Sequence, residues 1–325
     1  MSDRKYSVGI WAYGGCGDRF SENGYQKNRS FKEKLELAAK TKNLSGVEVH
    51  YNGDFKDDDF AEAKKLIKSS GLQIAAVDCE TFGDRKFRKG ALTSTDPKIR
   101  KDAVEIVKRA GEVAKELNAA VVNLWPGADG YDYSFQLDYE KEIELMVKSI
   151  KEISKANPDV KYSLEYKIKE PRIRSTIGTA AKATTLIKDA GVDNFGVTMD
   201  FGHSMVAREN PAEASAFLDR YNLLYHVHLN DNSRDWDDDL IVNTYHFWET
   251  LELIYYLKKL NYNGWIGLDM SPKREDQIEA VEYSIETLER MFKYIEKIDE
   301  EKLLESLKEQ DVLKAHKLIN KEIFI

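Results

Sequence analysis

The sequence predicts one α/β domain built as a (β/α)8 (TIM) barrel over residues 1–297, with a short C-terminal helical extension over residues 298–325. Three observations predict it. Eight short apolar runs recur along the chain, and helical periodicity fills the intervals between them. The 325 residues are also 42% hydrophobic, enough to bury a large core. Strict strand–helix alternation implies a parallel sheet. Eight such units in a chain of this length favour closure over an open doubly wound sheet, whose GxGxxG turn does not follow the first run.

Taken in order, the predicted strands are Tyr6–Ala12, Gly46–Tyr51, Gln73–Cys79, Ala119–Trp125, Lys161–Lys167, Phe195–Phe201, Leu224–Asn230 and Gly264–Met270. Each is rich in β-branched or bulky apolar residues, as strands covered on both faces require. The segments between them read as helices. The clearest is Asp96–Leu117, where an Asp-Pro start signal precedes apolar residues at helical spacing. Arg274–Lys297 is expected to close the barrel, and Glu300–Ile325 to form a helical tail suited to subunit contacts.

Composition narrows the function. A net charge of −8 argues against nucleic acid as the main partner. The two cysteines, Cys16 and Cys79, form no CxxC pair, so neither a disulfide framework nor a cysteine zinc site is expected. The chain begins without a signal-peptide pattern and has no apolar stretch of membrane-spanning length. A cytoplasmic protein without a membrane partner is the expectation.

The strand ends carry the chemistry. His50, Glu165, Lys167, Asp200, His203, His228 and Asp269 stand at or near C-terminal strand ends, which share one mouth in a parallel barrel. Singly, each is as readily a helix cap, a rim residue or a hydrogen-bonded structural histidine. Together, the carboxylates would repel one another unless a cation or proton compensates them. Oxygen ligands with a few imidazoles suit Mn, Co or Mg, with Zn less well matched. Asp235-Trp-Asp-Asp-Asp239 adds acidic residues above the seventh strand. In an extended segment Asp237 and Asp239 would point the same way, with Asp238 turned outward.

These residues resemble those of the xylose isomerase family and, within it, the L-rhamnose isomerases. Gly9-Ile-Trp11 is similar to the family's first-strand GLW, and Gly46-Val-Glu-Val-His50 to its GVxxH. Leu92–Asp96 is similar to the loop after strand three, and Trp125 before Pro-Gly to the pocket tryptophan. Glu165-Tyr-Lys167 continuing to Glu170-Pro-Arg172 resembles ExKxxEPR. Asp200-Phe-Gly-His203 resembles (E/D)xGH, Asp237-Asp-Asp239-Leu resembles DxDL, and Asp269 holds the strand-eight carboxylate position. The likeness spans roughly the first 270 residues. His228 and Asp200 replace the aspartate and glutamate of xylose isomerases, which looks more like rhamnose isomerase. In register with the aspartate that partners the family's ring-opening histidine stands Gly53, with Asp54 one residue late.

The resemblance implies an aldose–ketose isomerase acting on a free sugar with two divalent cations per subunit. One cation would be held by Glu165, Asp200, His228 and Asp269, the other by Asp200, His203, Asp237 and Asp239. His50, Lys167 and Asp237 would be catalytic. Trp11, Trp125 and Phe20 would meet the substrate, Phe20 by entering a neighbouring subunit of a homodimer or homotetramer. A ketose 3-epimerase is the alternative on the same barrel; it would use one metal and leave His203, Asp237 and Asp239 surplus. A DNA-repair endonuclease would need more histidines and a basic groove, and a dead sugar-binding copy need not retain Lys167 and both ligand sets.

Overall fold

The computed structural model describes residues 4–170 and 173–323. Pro171 and Arg172, the end of the ExKxxEPR-like motif, and the last two residues of the expected tail lie outside them.

Eight parallel strands close into a barrel. They are β1 (Lys5–Gly9), β2 (Gly46–Tyr51), β3 (Gln73–Cys79), β4 (Val121–Leu124), β5 (Tyr162–Glu165), β6 (Phe195–Asp200), β7 (Leu224–Leu229) and β8 (Trp265–Leu268). Each pairs with its sequence neighbours, and β1 closes the ring on β8 with Lys5 opposite Trp265 and Val8 opposite Leu268. Six of the eight end earlier than the apolar runs suggested, because the last residues of a run leave the ladder to form the mouth. The first is clearest: the chain turns into a 3-10 segment, Ile10–Tyr13, immediately after Gly9. A side chain at Gly9 would lie 2.1 Å from the Trp11 ring, so the absent Cβ lets the indole fold back over the strand end.

The main helices alternating with the strands are α1 (Phe31–Ala38), α2 (Phe60–Ser70), α3 (Pro97–Leu117), α4 (Tyr139–Ala156), α5 (Ala180–Ala190), α6 (Phe201–Val206), α7 (Pro211–Arg220), α8 (Phe247–Lys259) and α9 (Gln277–Lys297). Their starts follow the local sequence. Ser30 and Glu33 form a capping box, Asp96 accepts from the Lys98 N–H ahead of Pro97, and Asp276 accepts from the Glu279 N–H. Helix α9 buries Val281, Ile285, Leu288, Met291, Phe292 and Ile295 on one face. Burial of each large apolar side chain contributes about 1.5–3 kcal/mol before chain entropy is counted. The tail is two helices, α10 (Glu300–Glu309) and α11 (Val312–Ile323), instead of one. Gln310 takes a left-handed φ of 56°, and Asp311 accepts from the Lys314 N–H to restart the helix. No helix among the described residues is long and apolar enough to cross a membrane.

At the mouth, a small antiparallel ribbon joins Gly130–Tyr131, Lys169–Glu170 and Ile173–Ser175. The Lys167 N–H bonds the Ile177 carbonyl, so the chain leaving β5 is tied to the segment that returns from the ribbon.

Candidate metal centre

A cavity of about 170 Å³ opens at the C-terminal mouth. Its lining includes Glu165, His203, His228, Asp237, Asp239 and Asp269 on one side, and Trp11, His50, Phe82 and Trp125 on the other. Two ligand-like groups share one carboxylate there. Glu165, Asp200, His228 and Asp269 bring one donor atom each within 4.8 Å of one another, and so do Asp200, His203 and Asp237.

The first group is organised around His228. Its Nδ1 lies 3.4 Å from Glu165 Oε1, 3.7 Å from Asp269 Oδ2 and 3.9 Å from Asp200 Oδ2. Its Nε2 lies 2.9 Å from Glu48 Oε2, while Glu48 Oε1 meets His226 Nε2 at 3.1 Å and accepts from Ser7 Oγ at 2.7 Å. Glu48 therefore fixes the ring so that the other nitrogen faces the three carboxylates, the usual arrangement behind a metal-ligating histidine. Glu48, His226 and His228 are also close enough to hold a cation, but their facing atoms are engaged in hydrogen bonds with one another. Asn123 supports Glu165: its amide donates to Glu165 Oε2 at 2.7 Å and to Asp78 Oδ1 at 2.9 Å.

In the second group, His203 Nε2 lies 3.2 Å from Asp237 Oδ2, and the His203 N–H bonds Asp200 Oδ1 at 2.7 Å. The Lys167 ammonium sits 2.6 Å from Asp237 and 2.5 Å from Glu170, 4.8 Å above the Trp125 ring. Asp237 Oδ1 is buried without a hydrogen bond among the described residues, and His203 Nδ1 faces Glu165 Oε1 at 3.3 Å. Asp239 lines the same cavity but stands outside the cluster, with a left-handed φ of 50° and Ser271 Oγ 3.4 Å from Oδ2. The expected extended segment is thus interrupted at Asp239. Asp238 does turn away, accepting from the Ser233 N–H and Oγ.

Electrostatics follows from this crowding. Burial pushes Asp200 up to about 7 against the pull of His203, with Glu165, Asp237 and Asp269 adding to the rise. Burial opposes ionisation of Glu165, yet His228 and His203 hold it at about 2. Burial works against a charged Lys167, but Asp237 and Glu170 keep it well above the ordinary lysine range. Burial and the like charges of Asp237 and Asp269 raise Asp239. Converging carboxylates, two imidazole nitrogens facing them and the unpaired Asp237 oxygen fit a hard or borderline divalent cation.

The opposite wall is built of rings. Trp11 and His50 lie 4.7 Å apart, and Phe82 and Trp125 lie 4.5 Å apart. Trp11 Nε1 donates to Asp269 Oδ1 at 2.9 Å, joining this wall to the first group. His50 Nδ1 stands 4.0 Å from Asp54, whose carboxylate accepts from Lys34 and from the His50 N–H. The late aspartate thus sits beside His50 without a ring hydrogen bond. Phe20 is 79% exposed and lies outside the cavity of its own chain, with the Arg19 guanidinium 4.6 Å from its ring centroid.

Sequence reasoning missed Glu48, Asp78, Phe82, Asn123 and His226. Asp78 had a readable signal, a carboxylate near a strand end, and Glu48 and His226 had one in standing two residues before His50 and His228 on the same strands; Phe82 and Asn123 had none.

The family model described as xylose isomerase-like TIM barrel matches residues 35–291. A xylose isomerase from Thermus thermophilus is 24% identical over 86% of this chain and 76% of its own length. A protein named probable sugar isomerase from Rhizobium meliloti is 27% identical over 95% and 76%. Among solved structures, a D-tagatose 3-epimerase-like protein superposes with a TM-score of 0.68 at 22% identity, over 90% of this chain and 98% of its own. A D-psicose 3-epimerase gives a TM-score of 0.68 at 16% identity, over 89% and 99%. At such identities these two are likenesses of fold.

Proposed function

The chain belongs to the xylose isomerase-like TIM-barrel family, and on that premise we propose that it is a divalent-metal-dependent aldose–ketose isomerase of a free sugar, of the L-rhamnose or D-xylose type. The observation that carries this reading is the second donor group, Asp200, His203 and Asp237, standing beside the first with Lys167 against it. An epimerase needing one cation has no evident use for it.

Glu165, Asp200, His228 and Asp269 would hold one cation, and Asp200, His203 and Asp237, with Asp239 beside them, the other. When bound, such cations supply Lewis-acid polarisation of sugar oxygens and acidify a nearby water. Lys167 donates to the oxyanion that develops at O1. Trp11 and Trp125 exclude water, so hydrogen passes between C1 and C2 with its electron pair instead of exchanging with solvent. His50 moves the proton that opens the sugar ring, with Asp54 beside it.

The alternative is a ketose 3-epimerase, an activity named for proteins that share this fold. The test is sugar interconversion by metal-stripped protein, with and without Mn, across pentoses and 6-deoxyhexoses. Mn-dependent aldose–ketose exchange, lost in Asp237→Asn and lowered about 10²–10³-fold in Lys167→Ala, is expected. C3 epimers alone, or activity that survives Asp237→Asn, would replace the isomerase reading with the epimerase one.

A further inference from the structure

Asp78 has no part in the chemistry derived above, and its surroundings give it one. It stands one residue before the end of β3, 5% exposed, and lines the same cavity. Strand pairing sets it between His50 and Asn123. One carboxyl oxygen, Oδ1, accepts from Asn123 Nδ2 at 2.9 Å; the other, Oδ2, is buried with no hydrogen-bond partner among the described residues. The same Asn123 amide also donates to Glu165, and its oxygen accepts from Thr198 Oγ1 at 2.7 Å. The inner side of Asp78 is therefore locked by a fully engaged amide, and the carboxyl cannot swing away to find a partner of its own.

The position matters as much as the orphan oxygen. The proposed cation ligands come from β5 to β8 and the loop after β7, whereas Trp11, His50, Phe82 and Trp125 come from the ends of β1 to β4. A chain of hydroxyls held at the first side must lay its other edge against the second. There the walls are aromatic or imidazole rings, and Asp78 is the one carboxyl among the cavity-lining residues of that side. Leaving a buried polar group unpaired is unfavourable by about 1–3 kcal/mol, so such a group is a reserved place for a ligand's polar atom.

We propose that Asp78 is a substrate-recognition residue that hydrogen-bonds a sugar hydroxyl on the strand-one-to-four side of the cavity, and so selects for a polyol bearing a free hydroxyl there. The hydroxyl can donate to the carboxylate or accept from the acid, so either protonation state serves. This inference rests on the sugar reading above. A site built to bond one hydroxyl discriminates steeply against an analogue that lacks it, because its own buried group is then left unpaired.

The test is calorimetric and needs no turnover. Mn-loaded wild type, Asp78→Ala and Asp78→Asn are titrated with xylitol, ribitol and their singly deoxygenated analogues, alongside Mn content and near-UV circular dichroism. Asp78→Ala is expected to weaken binding of the preferred alditol about 10–100-fold with Mn content unchanged. Removing one particular hydroxyl from the ligand should abolish the difference between variant and wild type, while removing any other should preserve it. Asp78→Asn keeps the acceptor that Asn123 needs, so it reports the unpaired oxygen in a folded protein. Wild-type affinity in both variants, or a difference indifferent to which hydroxyl is removed, would overturn the assignment; so would loss of Mn, which would make Asp78 part of the metal centre. If wild type binds no alditol, the sugar reading fails and this inference falls with it.

Discussion

Glu48→Gln should weaken divalent-cation binding at the first donor group by about 10–100-fold, or about 1.4–2.8 kcal/mol. The magnitude comes from the geometry around one carboxylate. Glu48 is 1% exposed and meets two imidazole nitrogens and a serine hydroxyl with its two oxygens. Burial opposes its ionisation, yet His226 and His228 hold it well below the usual carboxylate range. A glutamine side chain has the same shape but one acceptor oxygen and one NH2. If its oxygen takes Oε1's place, its NH2 faces His228 Nε2, and the only hydrogen-bonded solution moves the ring proton to Nδ1. That nitrogen is the one 3.4–3.9 Å from Glu165, Asp269 and Asp200, and once protonated it cannot ligate. If the amide is reversed, its NH2 meets His226 Nε2 and Ser7 instead, and His228 keeps its tautomer but loses a charge-assisted partner. The assay is calorimetric Mn titration of metal-stripped protein, with circular dichroism to show that the variant folds. A folded variant binding Mn as tightly as wild type would refute the claim that Glu48 orients His228.

Other outcomes follow from single contacts. Gly202→Ala places a Cβ 2.3 Å from Asn230 Oδ1 and 2.8 Å from Asn232 Nδ2, pressing on the amide that donates to Asp200. A loss of about 1–3 kcal/mol in denaturant unfolding is expected, and a stability equal to wild type would show that the loop yields freely. Asp231 accepts from the N–H groups of Asn232, Tyr245 and His246 and from the His246 ring, bracing the ends of the loop that carries Asp237. Asp231→Ala should speed proteolytic cleavage within residues 232–245, which an unchanged cleavage rate would contradict. Chelation should remove the stabilisation that excess Mn confers, RT ln(1 + c/Kd) at free concentration c, or about 2.7 kcal/mol at a hundredfold excess over Kd, as a scanning calorimeter would record. An identical melting curve with and without Mn would remove the metal centre from the account. Phe20→Ala should leave Mn affinity unchanged and weaken self-association, measured by sedimentation; unaltered self-association would retire the proposed reach of Phe20 into a neighbour.

Periodicity and composition determine the barrel, because parallel strands buried on both faces and the amphipathic helices between them leave local signatures that need no tertiary information. Helix α3 begins where Asp96-Pro97 says it should, since a cap is a contact between residues two or three apart. The strand-end residues Glu165, Asp200, His228 and Asp269 could be listed beforehand because every parallel strand delivers its C-terminal end to one mouth. That they converge to within 4.8 Å is a consequence of closure, which brings together residues as far apart as 165 and 269. Closure also decided what the alternating pattern could not. Alternation puts Glu48 on the face of His50 and His226 on the face of His228, but nothing local says that the two meet across the barrel. The same holds for Asp78, whose partners come from other strands. The left-handed Asp239 was also decided late, its carbonyl accepting from the Ser271 N–H beyond the eighth strand. That conformation depends on which backbone group the completed barrel sets beside it, and the distance exists only once the ring has closed.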